Sequence, residues 1–467
     1  MDNNATFNDS TGPTEPAQTE STQIEPTTAT AGTSHISPNN NTPNTKSRHL
    51  HPAVIGTVAA VIGLAAGIAG TYAVAKLTYK PTPCPECKCP TLSNATGDVN
   101  LGFLKLEPNQ QNLVYSPLSI RNGLALLSAG ASGNTKTEID AILGDETIPK
   151  YQNDSQTSLA NAVFIRDTFK NDVLPTYTSQ VQDQYDGEVI YDSFDSSQQM
   201  DDWVSNKTFK LIDSIGIQPR SDLKMALANA LAIQLDWKHQ FSTDDTQGKG
   251  FTKHDDTKEI VTMMSKHTIA DDIKYYIDEN IKSITMPLKS TAGTELEFTA
   301  ILPSDSLDNY AKNVSTSDIE SIINNSTSAS IPDRGVKIFI PKFKYDYELG
   351  FEEDLKAMGM QAAFSQERAD FSNMASVPLY VGKAVHKANI DFSEDGIKAA
   401  AVTAFAMLKE AAADDEPVAQ PIVISFDRPF LFVIRDKANG AIWFTGTVYE
   451  PNLWENDKET YRPDYDY

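Results

Sequence analysis

EDGIKAAAVTAFAMLKEAAA, residues 394–413, lies between two strand-like apolar runs, residues 385–392 and 422–426. It is too long for a turn, and a loop of this length inside a compact domain is either functional or disordered. On one face of an extended chain, Ile397, Ala399, Ala401, Thr403, Phe405 and Met407 form a mostly apolar row against Lys398, Ala400, Val402 and Ala404. Such a row suits burial as a strand. The same alanine content suits an exposed amphipathic helix equally well, so the rest of the chain has to decide.

The chain has 467 residues and a net charge of −24, with Asp and Glu spread along its length. That acidity excludes a general affinity for nucleic acid or polyanionic glycans. Beyond about residue 98 no Gly/Ser-rich or Pro-rich linker divides the sequence, which predicts one large domain over 98–455 and a short acidic tail over 456–467. All three cysteines, Cys84, Cys87 and Cys89, fall in a spacer over 78–97, so the large domain has neither a disulfide nor a thiol nucleophile. CPECKC offers too few ligands to close a tetrahedral zinc site, leaving thiol pairing between chains or one local disulfide. The sequence indicates no metal and no cofactor.

Residues 1–50 are rich in Asn, Thr, Pro and Ser and nearly devoid of large apolar side chains, which predicts a disordered polar tail. Residues 53–75 carry no charge. As a helix they would span about 35 Å, enough for the ~30 Å hydrocarbon core of a bilayer. One transmembrane helix over 51–77 is the expectation, with Gly63 and Gly67 spaced for close helix approach. A cleaved signal peptide ending near Ala73-Val74-Ala75 is the competing reading, but its apolar core would be too long and would begin too late. Lys46 and Arg48 on one flank and Lys76, Lys80 and Lys88 on the other code orientation poorly.

Residues 112–144, NLVYSPLSIRNGLALLSAGASGNTKTEIDAILG, place Ser116 before a first-turn proline, Pro117, with Ile120, Leu124 and Leu127 following at helical spacing. Further stations follow in order: residues 159–165 (LANAVFI), 202–212 (DWVSNKTFKLI) and 227–241 with Asn229 and Trp237. Then come Phe251, Met263-Met264, Ile301-Leu302-Pro303, Pro341 to Lys344, residues 355–364, and Ala369 to Ser372. Val385-His386-Lys387-Ala388 leads into the opening loop, and Asp427 to Phe432 and Phe444-Thr445-Gly446 close the set. The stretch from about residue 98 to residue 452 resembles the serpins. The resemblance implies an α+β domain of three β-sheets and about nine helices, residues 202–212 being one of the helices, with an exposed reactive-centre loop above the body.

The resemblance also implies site residues. Ser116, Asn229 and His386 match the polar positions that the family gathers beneath its large sheet, the shutter, and Trp237 matches the breach, where the loop first enters. The hinge matches Glu394, Gly396, Ile397, Ala399, Ala400, Ala401 and Thr403, although Ile397 stands where a hydroxyl residue is usual. Counting from Gly396 places the reactive bond between Glu410 and Ala411; Leu408, Lys409 and Val418 are the alternative residues before the cut. A suicide-substrate inhibitor is implied: a serine or cysteine protease cleaves the loop and is trapped as the loop inserts into the sheet. Glu410 implies a glutamyl-specific target, Lys409 a trypsin-like one and Leu408 a chymotrypsin-like one, since each pocket must complement the residue it holds.

No G-x-S-x-G elbow, H-E-x-x-H, phosphate-cradling loop or paired-carboxylate arrangement can be placed, so the chain is not read as an enzyme. Sequons at Asn94, Asn153, Asn206, Asn313, Asn324 and Asn325 suit a glycosylated outer surface. The expected placement is therefore a single-pass membrane protein with its serpin domain extracellular. The alternative function is a non-inhibitory binding or chaperone module on the same fold.

Overall fold

The computed structural model describes the backbone of residues 58–66 and, in full, residues 98–107, 110–145, 147–332, 334–397 and 420–455. Outside them lie the expected polar tail, the cysteine spacer with Cys84, Cys87 and Cys89, and the acidic tail. The loop positions Ala399, Ala400, Ala401, Thr403, Leu408, Lys409, Glu410, Ala411 and Val418 also lie outside.

Ser116 opens the Pro117–Gly130 helix: its side chain accepts a hydrogen bond from the Ser119 N–H, and Pro117 occupies the first turn, where no N–H is needed. Nearly every residue of this helix is buried, from Leu118 and Ile120 through Leu127, as befits a helix enclosed by other elements rather than one lying on the surface. Among the described residues there are eight α-helices, close to the nine expected, and three sheets.

The eight-stranded sheet contains β1 (Val58–Ala66), β2 (Thr157–Arg166), β3 (Gly187–Asp192), β4 (Leu223–Ile233), β5 (Leu235–Asp236), β6 (Phe343–Leu349), β7 (Leu379–Phe392) and β8 (Gly396–Ile397). Its order is β3-β2-β4-β1-β7-β8-β5, with β6 also paired to β7. A seven-stranded sheet is centred on Leu296–Pro303 and Phe430–Asp436, and a four-stranded sheet on Val336–Pro341 and Lys258–Thr268. The loop therefore leaves the large sheet at Ile397 and returns in the four-stranded sheet at Ile422–Ser425, parallel to Val336–Pro341.

β4 has core on both faces. Met225, Leu227 and Leu231 join apolar clusters with the helix side of the domain, while Ala226, Ala228 and Ala230 join a separate cluster with Trp203 and Val204 of the Gln198–Lys207 helix. A strand covered on both faces reads as a near-continuous apolar run, which LKMALANALAI is.

Two expectations change. Val58–Ala66 is a strand, and among the described residues no helix is long and apolar enough to cross a membrane. The physical reason is that an uncharged run containing Val58, Val61 and Ile62 suits a doubly covered strand as well as it suits lipid. Between β4 and β7 its backbone has a ladder on each side. The second change concerns residues 202–212, expected as helix: the helix ends at Lys207, and Phe209 and Lys210 take positive φ values of 53° and 67°. Thr208 closes it by donating its hydroxyl to the Val204 carbonyl at 2.7 Å.

Candidate strand-insertion site

The expected hinge residues Gly396 and Ile397 are paired into the sheet. Gly396 pairs with Asp236 and Ile397 with Leu235, and Ile397 also pairs with Phe392, so two residues already form a strand between β7 and β5. A β-carbon on Gly396 would lie 2.2 Å from the Leu235 carbonyl oxygen and 2.6 Å from the Asp236 α-carbon, a space that only glycine fits. Ile397 is buried in the apolar cluster beneath.

Trp237 holds the turn that leads into this strand. Its indole N–H donates to the Ser393 carbonyl at 2.9 Å, and its backbone N–H donates to the Asp395 carbonyl at 2.9 Å. The Phe241 N–H donates to the Glu394 carbonyl at 3.0 Å. The indole packs edge-on against Phe392 at 5.2 Å and Phe298 at 5.6 Å, and Phe343 stacks on Phe392 at 4.5 Å. Each such aromatic pair contributes about 0.5–1.5 kcal/mol beyond its burial.

Glu394 is buried, which alone would raise its pKa, yet its carboxyl is held below the ordinary value. The Lys342 ammonium at 2.8 Å and the Thr246 hydroxyl at 2.8 Å stabilise the charged form. Thr246 is not singled out in the sequence and Lys342 enters only within the 341–344 stretch, because a lysine and a threonine carry no local sign of a partner so distant in the chain.

The polar positions beneath the sheet converge on the start of the Pro117–Gly130 helix. The Ser116 N–H donates to His386 Nε2 at 3.0 Å, and the Ser119 hydroxyl donates to Asn229 Oδ1. Asn229 donates in turn to Asn161 Oδ1 at 2.7 Å. Ser119 and Asn161 complete the network and were missed for the same reason as Lys342. Because Nε2 accepts, the neutral His386 ring carries its proton on Nδ1, which has no hydrogen-bond partner among the described residues. Burial lowers the His386 pKa to about 3.

Asn229 and His386 do not touch across a closed sheet. Both are register partners of one residue, Ala60 of β1, which stands between their strands. Among the described residues no group of three or more His, Cys, Asp or Glu side chains is placed to hold a metal ion.

A match to the family described as Serpin (serine protease inhibitor) covers residues 101–451. The chain is a serpin. Glia-derived nexin of Rattus norvegicus is 27% identical, over 75% of this chain and 90% of the relative. A serine protease inhibitor of Cyanea capillata is 28% identical, over 73% and 93%. Among solved structures, the thermophilic serpin tengpin in its native state superposes with a TM-score of 0.64 at 26% identity, over 75% of this serpin and 92% of that chain. All of the matched region lies beyond β1, so the strand between β4 and β7 comes from outside the family domain.

Proposed function

We propose that this serpin is a suicide-substrate inhibitor of serine or cysteine endopeptidases, trapping the acyl-enzyme as its cleaved loop enters the large sheet between β4 and β7. The observation that carries this reading is the docked hinge: Gly396 and Ile397 already pair into the sheet at the mouth of that path. The Cyanea capillata relative, named a serine protease inhibitor, and the Xenopus tropicalis relative, named leukocyte elastase inhibitor, support the same class. The chain itself turns over no substrate.

Insertion continues the register that Ile397 starts. Carried down one residue at a time, the Ile397–Leu235 pair brings Thr403 opposite Asn229, and the Ile397–Phe392 pair brings it opposite His386. The two registers agree, and they give Ala399, Ala401, Thr403, Phe405 and Met407 the face that Ile397 already buries. None of these side chains is charged, and a buried unpaired charge there would oppose entry by several kcal/mol. Phe405 and Met407 contribute about 1.5–3 kcal/mol each on burial, against roughly 1–2 kcal/mol for ordering each inserted residue. New backbone hydrogen bonds add about 0.5–1.5 kcal/mol apiece, and strain released by the body supplies the rest. In this structure the lower part of the path holds β1, so trapping follows departure of that strand.

The bond cut is placed between Glu410 and Ala411, because the chain before the cut sets when the inserted strand pulls tight. A panel of glutamyl-specific, trypsin-like and chymotrypsin-like proteases, read by gel for a stable complex and by mass for the released fragment, tests this. A fragment beginning at Ala411 is expected; one beginning at Glu410, Lys409 or Ala419 moves the cut to follow Lys409, Leu408 or Val418 and changes the target class. Cleavage by every protease without a complex refutes the inhibitor.

One observation favours the non-inhibitory alternative, a binding or chaperone module: the slot is filled. Melting before and after a single nick in the loop separates the two, since insertion raises the midpoint and an inert loop leaves it unchanged. We place the domain outside the cell, supported by the exposed sequons at Asn153, Asn206, Asn313, Asn324 and Asn325. Tethering by one span over 51–77 would remove β1 from the sheet, so membrane and slot are alternative sites for one uncharged segment.

A further inference from the structure

We propose that Val58–Ala66 and the reactive loop are alternative occupants of one strand-binding slot, so that this segment is the chain's own competing ligand for its sheet. The inference rests on the loop-insertion reading above and adds what governs it.

The backbone register carries the argument. β1 runs antiparallel to both β4 and β7, the direction that insertion from the Ile397 hinge would give the loop. Val58 pairs with Leu231, Ala60 with Asn229 and His386, and Ile62 with Leu227. These are the positions that the hinge register assigns to Ala401, Thr403 and Phe405. The loop can therefore enter as far as Ala400 before meeting Val58. The two sequences also share what a doubly covered slot demands: Val58-Ala59-Ala60-Val61-Ile62-Gly63-Leu64 and Ala401-Val402-Thr403-Ala404-Phe405-Ala406-Met407 are uncharged throughout, with larger apolar residues at the fifth and seventh places. Residues 67–97 then tether the segment to the domain, so slot and segment meet within one chain at high effective concentration. With β1 seated, the inhibitor is silent; withdrawn, the slot is open to the loop.

The full chain tests this with Cys84, Cys87 and Cys89 changed to Ser and a cysteine pair introduced as Ala59→Cys with Ala230→Cys, which are register partners. Directly opposed strand residues lie about 4.5–5.5 Å apart, within the roughly 4.4–6.8 Å that a disulfide spans. Oxidation without lipid or detergent should yield the linked 59–230 peptide by mass, whereas Ala59→Cys with Ala226→Cys should not. A second variant, Ala60→Pro with Ile62→Pro, removes ladder donors from β1. It should take up a synthetic peptide of residues 398–407 at least about tenfold more readily than the parent, because apparent affinity scales with the open fraction. Its protease-complex formation should rise in step.

No 59–230 link, or peptide uptake unchanged by the prolines, overturns the proposal. Absence of the link together with vesicle protection of residues 53–75 overturns it in favour of a membrane span. Link formation and peptide competition without a protease complex in any variant leave the shared slot standing and sink the inhibitor reading instead.

Discussion

Lowering the pH from 7.5 to 5.0 should remove about 2 kcal/mol of stability through His386 alone. The group is a base whose pKa falls from 6.5 to about 3 on folding, because the ring is fully buried. The unfolded chain therefore binds a proton that the folded one refuses. This contribution to stability is fully present above pH 6.5 and is lost as pH falls toward 3. Between pH 6.5 and 5.0 the loss is about 1.4 kcal/mol per pH unit for one and a half units, hence the figure of about 2. Nothing around the ring softens it: Nε2 already accepts from Ser116, Phe351 packs edge-on at 6.2 Å, and the ring's other nitrogen faces no acceptor among the described residues.

Other groups titrate in the same range. Burial, with Glu107 beside it, raises Asp354 to about 7; its folded form binds a proton that the unfolded chain releases, so its contribution to stability grows as pH falls and opposes that of His386. Glu394, held below its ordinary value, adds a loss at the acid end. The decisive quantity is thus the difference between the parent and His386→Gln, whose amide oxygen still accepts from Ser116 but takes no proton. Urea unfolding of both at the two pH values should show the parent losing about 2 kcal/mol more than the variant. Equal losses would mean that the folded ring already holds a proton at pH 5, and the buried neutral imidazole would be wrong.

Thr403→Arg should leave loop cleavage intact and abolish the protease complex, read on a denaturing gel, because a cation would have to lie opposite Asn229 and His386. Trp237→Phe keeps an aromatic ring against Phe392 and Phe298 but deletes the bond to the Ser393 carbonyl; a loss of about 0.5–1.5 kcal/mol is expected from the urea midpoint. Gly396→Ala forces a methyl group against the Leu235 carbonyl, so hydrogen exchange at positions 396 and 397 should accelerate at least about fivefold, corresponding to about 1–3 kcal/mol of overpacking. Unchanged exchange there would show that the hinge is not packed as described.

What could be read from sequence was set by how local the physics is. Ser116 before Pro117 announces a helix start because the cap and the missing N–H act within one turn. Glu394 shows an acidic residue and nothing of Lys342, since the bond that places it joins two remote parts of the chain. Trp237 was read as breach by resemblance, but its acceptor is a backbone carbonyl, which every residue has. The helix end at Lys207 was missed because Phe209 and Lys210, rather than a glycine, take the positive φ. Residues 53–75 were the hardest case: a length sufficient to cross a bilayer also contains nine residues that suit a doubly covered strand, and hydropathy cannot choose between the two burials.

The slot separates its two occupants through one atom. Asn229 is satisfied from below by Ser119 and Asn161, and His386 Nε2 by Ser116, so neither depends on the strand that lies between them. His386 Nδ1–H is the exception, without an acceptor among the described residues while Ala60 is its register neighbour. An alanine side chain has none to offer, whereas Thr403, assigned to the same position in the inserted loop, brings a hydroxyl. Satisfying that donor should favour the loop over β1 by about 1 kcal/mol. Thr403→Val removes the hydroxyl at nearly constant shape, so the loop-cleaved form should lose about that much stability while the uncleaved form, with β1 seated, loses none. In a His386→Phe background the same substitution should cost nothing, because the donor is gone. A double-mutant cycle on the cleaved protein measures the coupling directly. Strict additivity of Thr403→Val and His386→Phe would show that the hydroxyl and the imidazole do not meet, and that the slot selects its occupant by charge and size alone.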